Sequence, residues 1–92
     1  SSKLNPGEIH FFRGEIIRKE AGEDFILRAI EQYQKAINLD GSDPRPRKSI
    51  GLMLMKVQQN ERAKENLEMY LKLKPDAEDS QIIQMYLAKL RS

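Results

Sequence analysis

The chain has no cysteine, a single histidine and no long hydrophobic run. Without cysteine there is neither a disulfide framework nor a thiolate metal site, an absence that fits any compartment. His10 has no second histidine and no His-Glu-x-x-His neighbourhood, so it reads as a helix-packing residue rather than a metal ligand or general base. The longest apolar run is residues 52–55, far short of the roughly 20 residues that span a bilayer. Gly14 and Gly51 are isolated, so no glycine-rich loop is present to cradle phosphate. An excess of one charge is missing too: the formal net charge is +2, too small to read as a nucleic-acid signature.

What is present is an ordinary globular composition, 39% hydrophobic and 33% charged over 92 residues. That composition excludes collagen-like and low-complexity chains and fits one small domain. The start at Ser1-Ser2, without methionine, is expected of a piece cut from a longer chain. The charge is unevenly spread. Residues 1–43 carry six Lys/Arg against eight Asp/Glu, residues 44–75 carry eight against three, and residues 76–92 carry two against three. A basic middle sits between two acidic ends.

Turn-forming clusters divide the chain at 5–7, 21–24, 40–44, 58–60 and 74–76. Each stretch between them reads as helix. Ile26, Ala29, Ile30, Tyr33, Ala36 and Ile37 fall at three- and four-residue steps. So do Ala63, Leu67, Tyr70 and Leu71, and then Ile83, Tyr86, Leu87 and Leu90. Residues 46–57 are apolar nearly all round, the pattern of a helix packed on more than one side. In 8–20, Ile9, Phe12 and Ile16 share one face, with Phe11 and Ile17 beside them. The methionines 53, 55, 69 and 85 fall at helical spacings and are expected to fill the core. No stretch alternates with period two, so the class is all-α with five helices.

The segments 29–40 and 63–74 align at an offset of 34 residues. Both place alanine first, a large apolar residue four later, and apolar residues at the eighth and tenth steps. Both end at a turn, Gly41 and Pro75. Gly14 and Gly51 are 37 apart, so the first unit carries a three-residue insertion around 21–24. Glycine lets a neighbouring helix approach closely, and Ala29, Ala36 and Ala63 are small for the same reason. Tyr33 and Leu67 are then expected to fill the space inside each helix pair.

These residues resemble the tetratricopeptide repeat (TPR), a 34-residue helix–turn–helix unit. Ile50-Gly51 matches the bulky–small pair of its first helix, with Leu54 at the next core step. Ala29, Tyr33 and Ala36 match the second-helix triad, Ala63 and Leu67 match two of its three positions, and Pro75 stands at the terminal proline. The resemblance implies a TPR-like solenoid: repeat 1 over 8–43 with its insertion, repeat 2 over 44–77, and a capping helix over 78–91, all in one domain over 1–92. Some positions depart from the pattern. Arg13 replaces a large apolar residue, His10 stands at the tryptophan position, and Tyr70 replaces a small residue, which is expected to push the next helix outward.

The functional expectation follows from that resemblance. TPR domains bind peptides or partner segments on a concave face built by the first helix of each pair. The family register puts Arg45, Lys48, Ser49, Leu52, Met55 and Lys56 there, facing Glu8, Phe11, Phe12, Glu15 and Arg18 of the first helix. Phe11 and Glu15 complete the expected partner-binding set. This mixed groove suits a segment with an apolar anchor and an acidic flank. The carboxylate clamp of chaperone-binding TPRs is not reproduced: Lys48 matches its first lysine, but Leu52 replaces an asparagine, and Asp79 and Ile83 stand where a lysine and an arginine belong. Chaperone-tail binding is therefore not expected.

No catalytic constellation, metal site or cofactor motif is found, and a protein or peptide partner is expected rather than nucleic acid or membrane. Residues 70–79 are similar to C-terminal TPR segments of exported bacterial zinc metalloproteases. That likeness implies an alternative, a non-catalytic accessory segment docking onto its own larger chain, in a bacterial cytoplasm or periplasm. Opposed charges and the open ends of a short solenoid leave self-association as a further expectation.

Overall fold

The computed structural model describes residues 5–18 and 23–91. Ser1-Ser2 and part of the expected insertion at 21–24 lie outside the described residues, as do the side chains of Arg18, Glu23 and Asp24. Five helices follow one another: α1 (Pro6–Arg18), α2 (Glu23–Leu39), α3 (Arg45–Lys56), α4 (Asn60–Leu73) and α5 (Ser80–Arg91). There is no strand among the described residues. The class is all-α, with helix limits within one turn of those the sequence suggests. The main packing runs from each helix to the next, α1 on α2, α2 on α3, α3 on α4 and α4 on α5. The result is two helix pairs and a fifth helix in a body of 44 × 32 × 19 Å.

Local chemistry sets several of the helix ends. Asn5 Oδ1 accepts a hydrogen bond from the Glu8 N–H at 2.8 Å, and Glu8 Oε1 reaches back to the Asn5 N–H at 3.5 Å. This reciprocal cap satisfies donors the first turn leaves orphaned, and Pro6 starts the helix where no N–H is needed. At the end of α3, Gln58 N–H donates to Met55 O at 3.1 Å and Gln59 N–H to Leu54 O at 2.9 Å. Gln58 has φ 60°. The two bonds and the left-handed residue make a Schellman stop with glutamine where glycine is usual.

The two helix pairs are built alike. Ala29 and Ala63 are fully buried, as are Tyr33 and Leu67. A Cβ on Gly14 would lie 2.7 Å from the Tyr33 ring, and one on Gly51 would lie 2.5 Å from Leu67 Cδ2. Both glycines let a large side chain of the second helix press against the backbone of the first. Met55 and Leu90 join the core formed by α1, α2, α3 and Ala63 of α4 to the core around Leu67, Tyr70, Ala77, Ile83 and Leu87.

The rotation of α1 corrects one expectation. Ile9, Phe12 and Ile16 face solvent, with Ile16 67% exposed, while Phe11 is buried. Gly14 must meet Tyr33, and that contact turns Phe11 inward and the apolar trio outward. Likewise Met53 fills the core, but Met85 is 68% exposed because Ile83 and Leu87 set the inward face of α5.

Candidate functional site

A cleft of about 470 Å³ opens between α1, α3 and α4. Phe11 and Glu15 line it from α1, with Pro44, Arg45, Lys48, Ser49 and Leu52 from α3 and its start. Tyr70 of α4 and Lys74, just past its end, close it. Six of the eight expected residues are thus brought together: Phe11, Glu15, Arg45, Lys48, Ser49 and Leu52. Met55 is half-buried and packs into both core clusters, and exposed Lys56 ends α3. Neither lines the cleft: Met55 turns toward the two cores and Lys56 stands at the exposed end of α3. Glu8 stands beside it and Phe12 outside it. Arg18's side chain lies outside the described residues.

At one end Arg45 is held in place. Its Nη2 is 2.7 Å from Asp43 Oδ2 and 3.5 Å from Glu8 Oε2. Its guanidinium lies 4.7 Å from the Phe11 ring centroid and 5.7 Å from that of Phe12. A cation over aromatic faces is favourable by about 0.5–1 kcal/mol at an exposed site. Burial pushes the Asp43 carboxyl up, but the hydrogen bonds and charge of Arg45 outweigh it and leave the pKa lowered. Arg45 is therefore a fixed cationic wall. Glu15, opposite, accepts a hydrogen bond from the Tyr33 hydroxyl, which ties the α1 wall to α2.

At the other end three groups converge on one carboxylate. Lys48 Nζ is 2.5 Å from Asp79 Oδ2, and the Tyr70 hydroxyl donates to Asp79 Oδ1 at 2.7 Å. The Lys48 ammonium also lies 5.9 Å from the Tyr70 ring centroid. The Lys48 hydrogen bond, then that of Tyr70, holds the Asp79 carboxyl below its ordinary pKa. Burial, reinforced by the neighbouring Asp79, pushes the Tyr70 hydroxyl up to about 12. A second, more polar hollow shares Lys48, Tyr70 and Lys74 with the cleft and adds Asp76, Glu78 and Asp79. The two hollows form one continuous surface. Among the described residues Lys74 makes no ion pair.

The residues missed by sequence reasoning are Pro44, Tyr70 and Lys74. Tyr70 carried a signal, since a bulky aromatic stands where a small residue is expected. Nothing marked Lys74 apart from its neighbours. His10 lies away from the cleft with Nδ1 2.8 Å from Gln32 Oε1 on α2, a packing contact between the first two helices. Among the described residues no group of His, Asp or Glu is placed to hold a metal, and no helix is long and apolar enough to cross a membrane. The cleft offers an apolar floor of Phe11, Leu52 and the Tyr70 ring, with cations at both ends and one carboxylate, Glu15, in its wall. Such a surface can seat one apolar side chain and attract an anionic neighbour. No family model, curated protein or solved structure matches the chain.

Proposed function

We propose that the protein is a TPR-like interaction module that binds an extended partner segment in the cleft between α1, α3 and α4. The observation that carries this reading is the cleft itself. About 470 Å³ of space lies over Phe11, Leu52 and Tyr70, with Arg45, Lys48 and Lys74 around it. The volume falls within the range of ligand pockets, roughly 300–1,000 Å³. Charge complementarity selects the occupant: a segment with one large apolar side chain flanked by aspartate or glutamate. The repeated glycine–large residue contacts, Gly14 with Tyr33 and Gly51 with Leu67, support the TPR-like reading of the two helix pairs.

The test is selection of a displayed random octapeptide library on the wild-type protein, with the Leu52→Asp variant as the counter-selection. The expected motif is an apolar anchor next to acidic residues, lost on Leu52→Asp and weakened on Lys74→Glu. Selection that returns no motif sensitive to Leu52→Asp overturns the placement.

A further inference from the structure

The cation at the centre of this surface is already occupied. Lys48 projects from α3, the second helix pair's first helix, yet its ammonium is taken by a carboxylate 31 residues further along the chain. Asp79 is not part of α4. It lies in the connection that follows, one residue before α5 begins, and its carbonyl accepts the hydrogen bond from Ile83 N–H at 3.0 Å. The carboxylate that neutralises Lys48 is therefore covalently fixed to the first turn of α5. Its second oxygen is held by Tyr70, a residue that also forms the floor of the cleft. Both charged side chains remain in contact with water, Lys48 at 39% and Asp79 at 24% exposure, so a solute carboxylate can reach the pair. Lys74, without an ion pair among the described residues, stands in the same hollow.

We infer that Asp79 is an internal competitor for the binding surface: a partner carboxylate takes its place on Lys48 and Tyr70, and binding is thereby coupled to release of the start of α5. This rests on the cleft being the docking site. The exchange preserves the hydrogen-bond count, because the incoming carboxylate accepts from the same ammonium and hydroxyl that Asp79 leaves. Displaced Asp79 enters solvent beside Asp76 and Glu78, which line the same hollow and repel both it and a bound acidic partner, a cost that the partner's attraction to Lys48 and Lys74 must offset. Ile83 and Leu87 are buried against α4 and keep the rest of α5 docked, so the release is confined to its first turn. A resident occupant lowers apparent affinity by the fraction of molecules in which the site is free. Removing its charge must then tighten binding of acidic partners and leave neutral ones unaffected.

The experiment uses two fluorescent octapeptides, one alternating aspartate with leucine and one alternating asparagine with leucine, titrated into the full chain at low salt. The wild type is expected to bind the acidic peptide. Asp79→Asn is expected to bind it about 5-fold or more tightly, the lower end of ordinary coupling between sites, with no change for the asparagine peptide. Lys48→Met is expected to remove the preference for the acidic peptide. A variant-free readout guards against a folding defect: amide exchange in the first turn of α5 is expected to speed up when the wild type is saturated with the acidic peptide. If the wild type binds the acidic peptide but Asp79→Asn binds it no better and exchange in α5 is unchanged, the competitor role is overturned and the cleft stands. If neither protein binds either peptide, the docking site itself is wrong and this inference falls with it.

Discussion

Gly51 on α3 and Leu67 on α4 are in such close contact that a methyl group at position 51 would lie 2.5 Å from Leu67 Cδ2 and 3.4 Å from the carbonyl oxygen of Ala63. Leu67 is fully buried and has nowhere to retreat. Gly51→Ala gains about 1 kcal/mol of helix propensity but suffers overpacking worth about 1–3 kcal/mol. The expected outcome is a net loss of about 1 kcal/mol in urea unfolding. Leu67→Ala alone should cost about 2–5 kcal/mol. The double variant should lose less than the sum of the two, since the new methyl group enters the space that Leu67 vacates. Strict additivity would show that the two residues do not share that space.

Gln58 offers the opposite case. Its φ of 60° costs a side-chain-bearing residue roughly 1–2 kcal/mol, and glycine removes that cost while adding backbone entropy to the unfolded chain. Gln58→Gly is expected to stabilise the protein by about 0.5–1 kcal/mol. Gln58→Val, β-branched in the same conformation, is expected to destabilise it. Thermal melts of the two variants moving in the same direction would contradict the Schellman stop.

The Tyr70–Asp79 contact predicts a pH profile with two edges. Tyr70 keeps its proton in the folded state to a pKa of about 12, above its ordinary value of 10.0. The unfolded chain therefore releases that proton first as pH rises, and stability falls between those two values, by on the order of 2 kcal/mol. The alkaline loss should shrink in Tyr70→Phe. Asp79 shifts the other way: its folded pKa lies below its unfolded value of 3.8, so its contribution is complete above that pH and disappears as pH falls through the folded pKa. Asp79→Asn should flatten the acid edge. Denaturant midpoints measured across the pH range check both edges.

Lys48 and Lys74 border the same cleft and look interchangeable in the sequence, but reversing their charge should have different consequences. Lys48→Glu places a carboxylate against Asp79 and should cost about 1 kcal/mol of stability, modest because the pair is partly exposed. Lys74→Glu breaks no ion pair among the described residues and should stay within about 0.5 kcal/mol of the wild type, while still repelling acidic peptides. Equal loss of stability in both variants would mean that the Lys48–Asp79 contact contributes nothing in solution.

Helix period, helix punctuation and the 34-residue offset between the two helix pairs are local properties of the chain, set by side-chain spacing along 3.6-residue turns and by glycine, proline and asparagine at the ends. They were legible without coordinates, and so were the small residues at 14, 29, 51 and 63 and the large ones at 33 and 67. Most of the cleft could be anticipated as well, from the repeat register that the chain resembles, with Arg45, Lys48, Ser49 and Leu52 at helical steps along α3. The rotation of α1 could not. Phe11 and Phe12 are adjacent, and only the Gly14–Tyr33 contact decides which of them turns inward. The pairing of Lys48 was not read either: the clamp register placed Lys48 and Asp79 on one face, but nothing in the local pattern of residues 74–80 says that the two side chains meet. That pairing depends on how α4 and its following turn lie across α3, which is decided by the burial of Leu67, Tyr70 and Ala77 together. Tertiary packing therefore turned a row of charges into one fixed wall at Arg45, one neutralised cation at Lys48 and one free cation at Lys74 among the described residues.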